Sequence, residues 1–105
     1  IHFIAYDLGG QNIRVNAISA GPIRTLAAAG IGDFKQILSW NELNAPLQRN
    51  VTIEDVGGTG LYLLSDLASG VTSEVIHVDA GYHKLGMINP KNAHQTAELL
   101  ANFNI

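Results

Sequence analysis

Apolar residues recur along this chain in two rhythms. At its start Ile1, Ile4, Ala5 and Leu8 stand three and four positions apart, which predicts a helix over 1–8; Gly9 and Gly10 then offer a residue able to take positive φ after the last turn. From Ile13 to Ile18 the rhythm shortens to two. Ile13, Val15 and Ala17 alternate with Arg14, Asn16 and Ile18 between flanking glycines, the pattern of a strand. Helical spacing returns over 31–44, where Ile31, Phe34, Ile37, Leu38 and Trp40 gather, with Asp33 at the start and Pro46 just past the end. Thr52 and Asp55 have the spacing of a capping box, although Glu or Gln is the usual partner, and they open a helix predicted over 52–69. Its apolar face is Ile53, Val56, Gly60, Leu63, Leu64 and Leu67. Each of Gly57, Gly58 and Gly60 costs about 1 kcal/mol against alanine in a helix, so close packing against another backbone is expected there. "EVIHVDAGY", Glu74 to Tyr82, predicts a second strand with Ile76 and Val78 on one face and Val75, His77 and Asp79 on the other. After Met87, Pro90 stands at a helix start and Ala93, Ala97, Leu100 and Phe103 follow at mixed spacing, predicting a terminal helical extension within 90–105.

Helix, strand, helices, strand is an α/β order, in which the long crossover between parallel strands is expected to be right-handed. Two strands make no stable sheet alone. The chain also starts without methionine inside what reads as a helix end, so it is expected to be the downstream part of a longer one. Composition narrows the picture further. Hydrophobic residues at 47% and charged residues at 14% argue for a buried core in one globular unit, not for disorder. A formal charge of -3 with six scattered Lys and Arg residues gives no basic stripe, which argues against nucleic acid as a partner. The absence of cysteine excludes disulfides, thiolate metal sites and cysteine nucleophiles, and fits a reducing compartment. No apolar run approaches the roughly 20 residues that cross a bilayer, and no signal peptide is visible. A soluble, cytoplasmic chain without a membrane partner is expected.

The candidate chemistry lies in "SAGPIRTLAA", Ser19 to Ala28. In open α/β sheets ligands bind beyond the carboxyl ends of the strands, and Ala20 to Ala27 follow the first strand there. Gly21 permits close backbone approach, and Pro22 fixes its own φ and removes a donor. The Ile23 backbone can then pair with an amide-like ligand edge. Thr25 adds a hydroxyl suited to a phosphate oxygen, and Ala27 to Ala29 leave room for a bulky group. A turn chosen for geometry alone is the competing explanation of the same residues.

The stretches "NIRVNAISAGPIRTLAAAGI", "VTIEDVG" and "LYLLSDLASGVTSEVIHVDAGY", with their spacing, closely resemble the C-terminal portion of bacterial NADH-dependent enoyl-acyl-carrier-protein reductases, a divergent branch of the short-chain dehydrogenase/reductases. The similarity covers about Tyr6 to Met87. Ordinary short-chain dehydrogenases more often show a Pro-Gly order after this strand, whereas "SAGPIRTLAA" has the enoyl reductase form. The resemblance implies a Rossmann-type doubly wound parallel sheet of which 1–105 would be the C-terminal portion. It implies NADH as cofactor and reduction of the 2,3 double bond of an acyl chain carried on acyl carrier protein, in fatty acid biosynthesis. Hydride passes to C3 and the enolate is held and protonated. Carried over by motif, Gly21, Pro22 and Ile23 line the nicotinamide, with the Ile23 backbone on its carboxamide, and Thr25 reaches the diphosphate region. Ala27, also beside the cofactor, and Ala28, Ile31 and Phe34 belong to the substrate-binding segment. An Ile23→Asp change is therefore expected to weaken cofactor binding without unfolding the protein. A homotetramer, with "VIHVDAGYHKLGM" near subunit contacts, is implied as well.

One departure limits what this chain can do alone. The family uses a tyrosine and a lysine seven positions later, but seven positions after Tyr6, Tyr62 and Tyr82 stand Ile13, Ser69 and Asn89. Neither G-x-G-x-x-G nor another glycine-rich phosphate loop is present. The catalytic pair should lie upstream, so no catalytic residue is assigned here and the isolated segment is expected to be inactive. Two alternatives stay open: a catalytically silent oligomerisation or binding module, and another short-chain dehydrogenase/reductase with a four-position Tyr–Lys spacing. Other candidates are weaker. His77, Asp79 and His83 lie close in sequence but lack helical His-x-x-x-His spacing, and no metal is assigned. Ser19 and Ser65 lack the glycines of a nucleophile elbow. Arg24 reads more readily as a surface ion-pair residue than a phosphate ligand, Phe34 and Trp40 as core or lid contacts, and Tyr82 as packing.

Overall fold

The computed structural model describes residues 1–25, 30 and 32–102. Helix α1 (His2–Gly9) leads to strand β1 (Ala17–Ala20), followed by α2 (Phe34–Asn44), α3 (Ile53–Leu64), β2 (Val75–Val78) and α4 (Ala93–Ala101). The strands pair in parallel, Ala17 opposite Val75 and Ala20 opposite Val78, so the long crossover through α2 and α3 is of the α/β kind.

Both strands are shorter than the alternation predicts, for opposite reasons at their two ends. The ladder begins at Ala17 rather than Ile13 because Ser73, at φ 64, turns the second chain away from regular pairing. Side chains bridge the gap. The Val15 N–H donates to Thr72 Oγ1 at 3.1 Å, the Asn16 amide donates to the Val71 carbonyl at 2.9 Å, and Asn16 Oδ1 accepts from the Glu74 N–H at 3.0 Å. At the other end β2 stops at Val78, not Tyr82. Ala80 and Gly81 take φ 58 and 90, and the Asp79 carboxylate accepts from the N–H groups of Gly81 and His83, folding the chain into a single turn over Tyr82–Lys84.

The capping box is real with aspartate in the third position. Thr52 Oγ1 accepts from the Asp55 N–H at 3.1 Å while Asp55 Oδ2 accepts from the Thr52 N–H at 2.9 Å. Arg49 adds an ion pair to the same carboxylate at 2.8 Å and, with the Thr52 N–H, holds Asp55 at a pKa of about 2. The helix predicted over 52–69 breaks at Ser65. Its hydroxyl accepts from the Leu67 N–H and starts a separate turn over Asp66–Ala68. After α1 the left-handed residue is Asn12, at φ 60, while Gly10 stays right-handed at φ -64. Of the α3 glycines, only Gly60 has a neighbour where a Cβ would stand, Ile18 Cδ1 at 3.9 Å; Gly57 and Gly58 meet nothing within 4 Å among the described residues.

Ala45, Val51 and Ala80 form a small buried cluster against which Ile23, Val78 and Tyr82 pack. It lies directly beneath the loop that follows β1. The terminal helix predicted within 90–105 is present as α4, after a Pro90–Asn92 turn capped by Asn89, and it packs on α2; Phe103 lies outside the described residues.

Candidate functional site

The residues after β1 leave the sheet at its carboxyl end, where β2 also ends. The Gly21 N–H donates to the Val78 carbonyl at 2.9 Å, which extends the pairing by one residue and then releases the chain. A Cβ on Gly21 would lie 3.1 Å from Asp79 Cα and 3.2 Å from its Cβ, so the close approach predicted at this glycine is made by the neighbouring strand's own backbone. Pro22 follows without a donor. Among the described residues, neither the N–H nor the carbonyl of Ile23 has a hydrogen-bond partner. The Ile23 side chain faces the other way, onto the Ala45, Val51 and Ala80 cluster. An aspartate there would place a charge against that core, so Ile23→Asp cannot separate binding from folding as the sequence suggested.

Beside this loop lies a cavity of about 410 Å³ bounded by Ala20, Gly21, Pro22, Ile37, Trp40, Asn41, Asp79 and Tyr82. Trp40 and Tyr82 are joined by a bond from the indole Nε1–H to the phenol oxygen at 2.8 Å, and the same two rings wall a second cavity of about 340 Å³ toward Leu85 and Met87. Sequence reading placed Trp40 in a core or lid contact and Tyr82 in packing. The two lie 42 positions apart, and no local pattern pairs them.

Asp79 organises the floor. Burial pushes its carboxyl up, but the His83 ring and the N–H groups of Gly81 and His83 outweigh that and hold it below the ordinary carboxylate value. The His83 Nδ1 lies 2.9 Å from Asp79 Oδ2, and the His83 ring stacks on His77 with centroids 3.7 Å apart. His77, Asp79 and His83 thus do meet, as a packed hydrogen-bonded cluster. Among the described residues no group of three or more His, Asp or Glu side chains is arranged to hold a metal.

The remaining predicted residues divide. Phe34 opens α2 half-buried, behind Asp33 in the left-handed conformation, but does not border the 410 Å³ cavity. Thr25 is half-buried and Arg24 exposed. Ala27, Ala28 and Ile31 lie outside the described residues. Among the described residues no helix is long and apolar enough to cross a membrane.

Residues 1–83 match a family model described as enoyl-(acyl carrier protein) reductase. The chain is 69% identical over 87 residues to enoyl-[acyl-carrier-protein] reductase [NADH] 1 of Rhizobium meliloti, covering 83% of this chain and 32% of that protein. It is 61% identical over 85 residues to an enoyl-[acyl-carrier-protein] reductase [NADPH] of Staphylococcus aureus strain MRSA252, covering 81% of this chain and 33% of the relative. Its backbone superposes with a TM-score of 0.79 on the crystal structure of the Anaplasma phagocytophilum enoyl reductase in complex with NAD, at 62% identity, over 85% of this chain and 34% of that one. The chain therefore spans about a third of the length of the relatives it matches. The parallel pair and its helices are part of the Rossmann-type sheet of those structures.

Proposed function

The chain belongs to the enoyl-(acyl carrier protein) reductase family, and we propose that it supplies the nicotinamide-side wall and the acyl-pocket helix of an NADH-dependent reductase of the 2,3 double bond in enoyl chains carried on acyl carrier protein, a step of fatty acid synthesis. The observation that carries this reading is the cavity of about 410 Å³ beyond the strand ends, bordered by Gly21 and Pro22, with the unpartnered Ile23 backbone next in the chain.

These residues fit a nicotinamide. The Ile23 N–H and carbonyl present a donor and an acceptor side by side, as a carboxamide requires. Gly21, seated against the Asp79 backbone, and Pro22, which has no donor, border the cavity on the side where the nicotinamide would lie. Thr25 would contribute toward the diphosphate, with Ala27 beside it. NADH, when bound, supplies the hydride delivered to C3 of the enoyl group. Ile37 and Trp40, with Phe34, Ala27, Ala28 and Ile31, would line the acyl chain. No residue of this segment is given the proton step, since none stands in the tyrosine–lysine spacing. Assembly into a homotetramer is part of the same proposal.

The test is cofactor oxidation by the full-length protein with a trans-2-enoyl thioester. Loss of NADH absorbance in proportion to thioester, with NADPH the poorer donor, is expected. Equal use of NADPH would overturn the cofactor assignment. A folded, oligomeric protein without NADH affinity would point instead to a silent assembly module.

A further inference from the structure

Among the described residues, the hydrogen bonds from residues 89–101 to the rest of the chain all go to the carboxyl half of α2. Asn44, 3% exposed, accepts at Oδ1 from the Asn89 N–H at 2.8 Å, and its amide donates to the Trp40 carbonyl at 3.0 Å and to the Thr96 hydroxyl at 3.5 Å. The Asn92 amide donates to the Leu43 carbonyl at 2.8 Å, and Thr96 is 1% exposed in the α2–α4 seam. The last carbonyls of a helix have no partner within it, and here the Asn92 amide supplies one for Leu43. The amino end of α2 is held differently: Asp33 precedes it without a side-chain cap bond. The middle of the helix is tied by the Asn50 amide, which donates to the Leu38 carbonyl at 3.0 Å, and by the Trp40–Tyr82 bond, and its carboxyl end by what grips Leu43 and Asn44. One turn before Asn44 stands Trp40, whose ring walls both cavities and bonds Tyr82. The family match ends at residue 83, whereas these contacts come from Asn89, Asn92 and Thr96.

We propose that Asn89 to Ala101 form a brace that positions α2, so that Asn44, Asn92 and Thr96 act as positioning residues for the acyl-chain cavity and not for the cofactor loop. The brace rests on the enoyl reductase reading of that cavity. Its hydrogen bonds go to α2, and among the described residues none reaches Gly21 to Arg24, so its loss should widen or shift the Trp40 wall while the Ile23 backbone stays in place.

Steady-state kinetics of the full-length enzyme separate these effects. Asn92→Ala removes the Leu43 bond without altering any cavity-lining residue. It is expected to raise KM for a long-chain enoyl thioester about fivefold, the effect of one lost hydrogen bond, with KM for NADH unchanged. Thr96→Val should move the same constant in the same direction, and Thr96→Ser should restore it. Truncation after Met87 should give the largest change; if that variant does not fold, the point variants decide. A drop in melting temperature with both KM values unchanged, or a parallel rise in both, would overturn the brace. Wild-type protein that binds NADH but reduces no enoyl thioester would overturn the reductase reading, and the brace with it, whereas active wild type with unaffected variants would overturn the brace alone.

Discussion

The strand-end side of the molecule and the outer surfaces of α1, α3 and the Asp66–Ala68 turn are built on different terms. At the strand ends polar side chains find partners within the chain: Asp79 takes two backbone N–H groups and an imidazole, Asn44 three partners, and Trp40 is held by Tyr82. On the other side apolar side chains face outward, with Phe3 89%, Tyr6 88%, Leu64 87% and Leu67 82% exposed. Apolar surface of that extent marks a place where something else packs, and parallel sheets are ordinarily covered on both faces. The strand-end side is thus tied by its own hydrogen bonds, while Phe3, Tyr6, Leu64 and Leu67 present apolar surface for cover from outside these residues.

Five measurements sharpen or break that contrast. Gly81 combines φ 90 with Pro46 Cγ 2.8 Å from where a Cβ would stand. Gly81→Val should therefore cost about 4 kcal/mol, a strained backbone plus overpacking, read from the denaturant midpoint of the full-length protein. Leu64→Ala tests the opposite face. If that face is covered in the full-length protein, the loss is about 3 kcal/mol; a cost below about 0.5 kcal/mol, as for a solvated surface residue, would erase the contrast. Gly21→Ala must push Asp79 or the loop aside, at about 1.5 kcal/mol, and should weaken NADH binding as well, which titration of nicotinamide fluorescence would follow. Thr52→Ala removes one half of the α3 cap and should cost about 1 kcal/mol by thermal unfolding.

The smallest effect is the acid limb. Asp55 has a pKa of about 2 against an ordinary 3.8, because Arg49 and the Thr52 N–H favour its charged form; Asp79 is lowered too, the His83 ring and two backbone donors outweighing burial. A depressed carboxylate contributes stability that is present above its unfolded value and lost as pH falls through the folded one. Stability should therefore decline from about pH 3.8 toward 2, and Asp79→Asn should flatten part of that decline. A profile unchanged by Asp79→Asn would remove Asp79 from the account.

What could be read from the sequence follows the range of the forces involved. The capping box, the four helices and the centre of β2 were legible because each depends on residues within a few positions of one another; β1 overlaps its predicted span only at Ala17 and Ile18 and takes in Ser19 and Ala20, read as loop. Strand ends were not. Val15 and Asn16 continue the alternation, but Ser73, more than fifty positions on, ends the ladder opposite them, and the Asp79 carboxylate ends β2 through side-chain bonds that periodicity does not register. The same holds for the site. Gly21, Pro22 and Ile23 carry a local signature, and the structure places them beyond the strand ends. The Trp40–Tyr82 bond and the Asn44 hub join residues 42 and 45 positions apart. The inward side chain of Ile23 was also hidden, since nothing local says which face of the loop meets Val51.

The most direct test of the central claim is amide hydrogen exchange at Ile23 in the full-length protein, with and without saturating NADH. If the unpartnered Ile23 backbone holds the carboxamide, its exchange slows on binding while the Gly21 amide, already bonded to Val78, changes little. Unchanged exchange at Ile23 with NADH demonstrably bound would contradict the account.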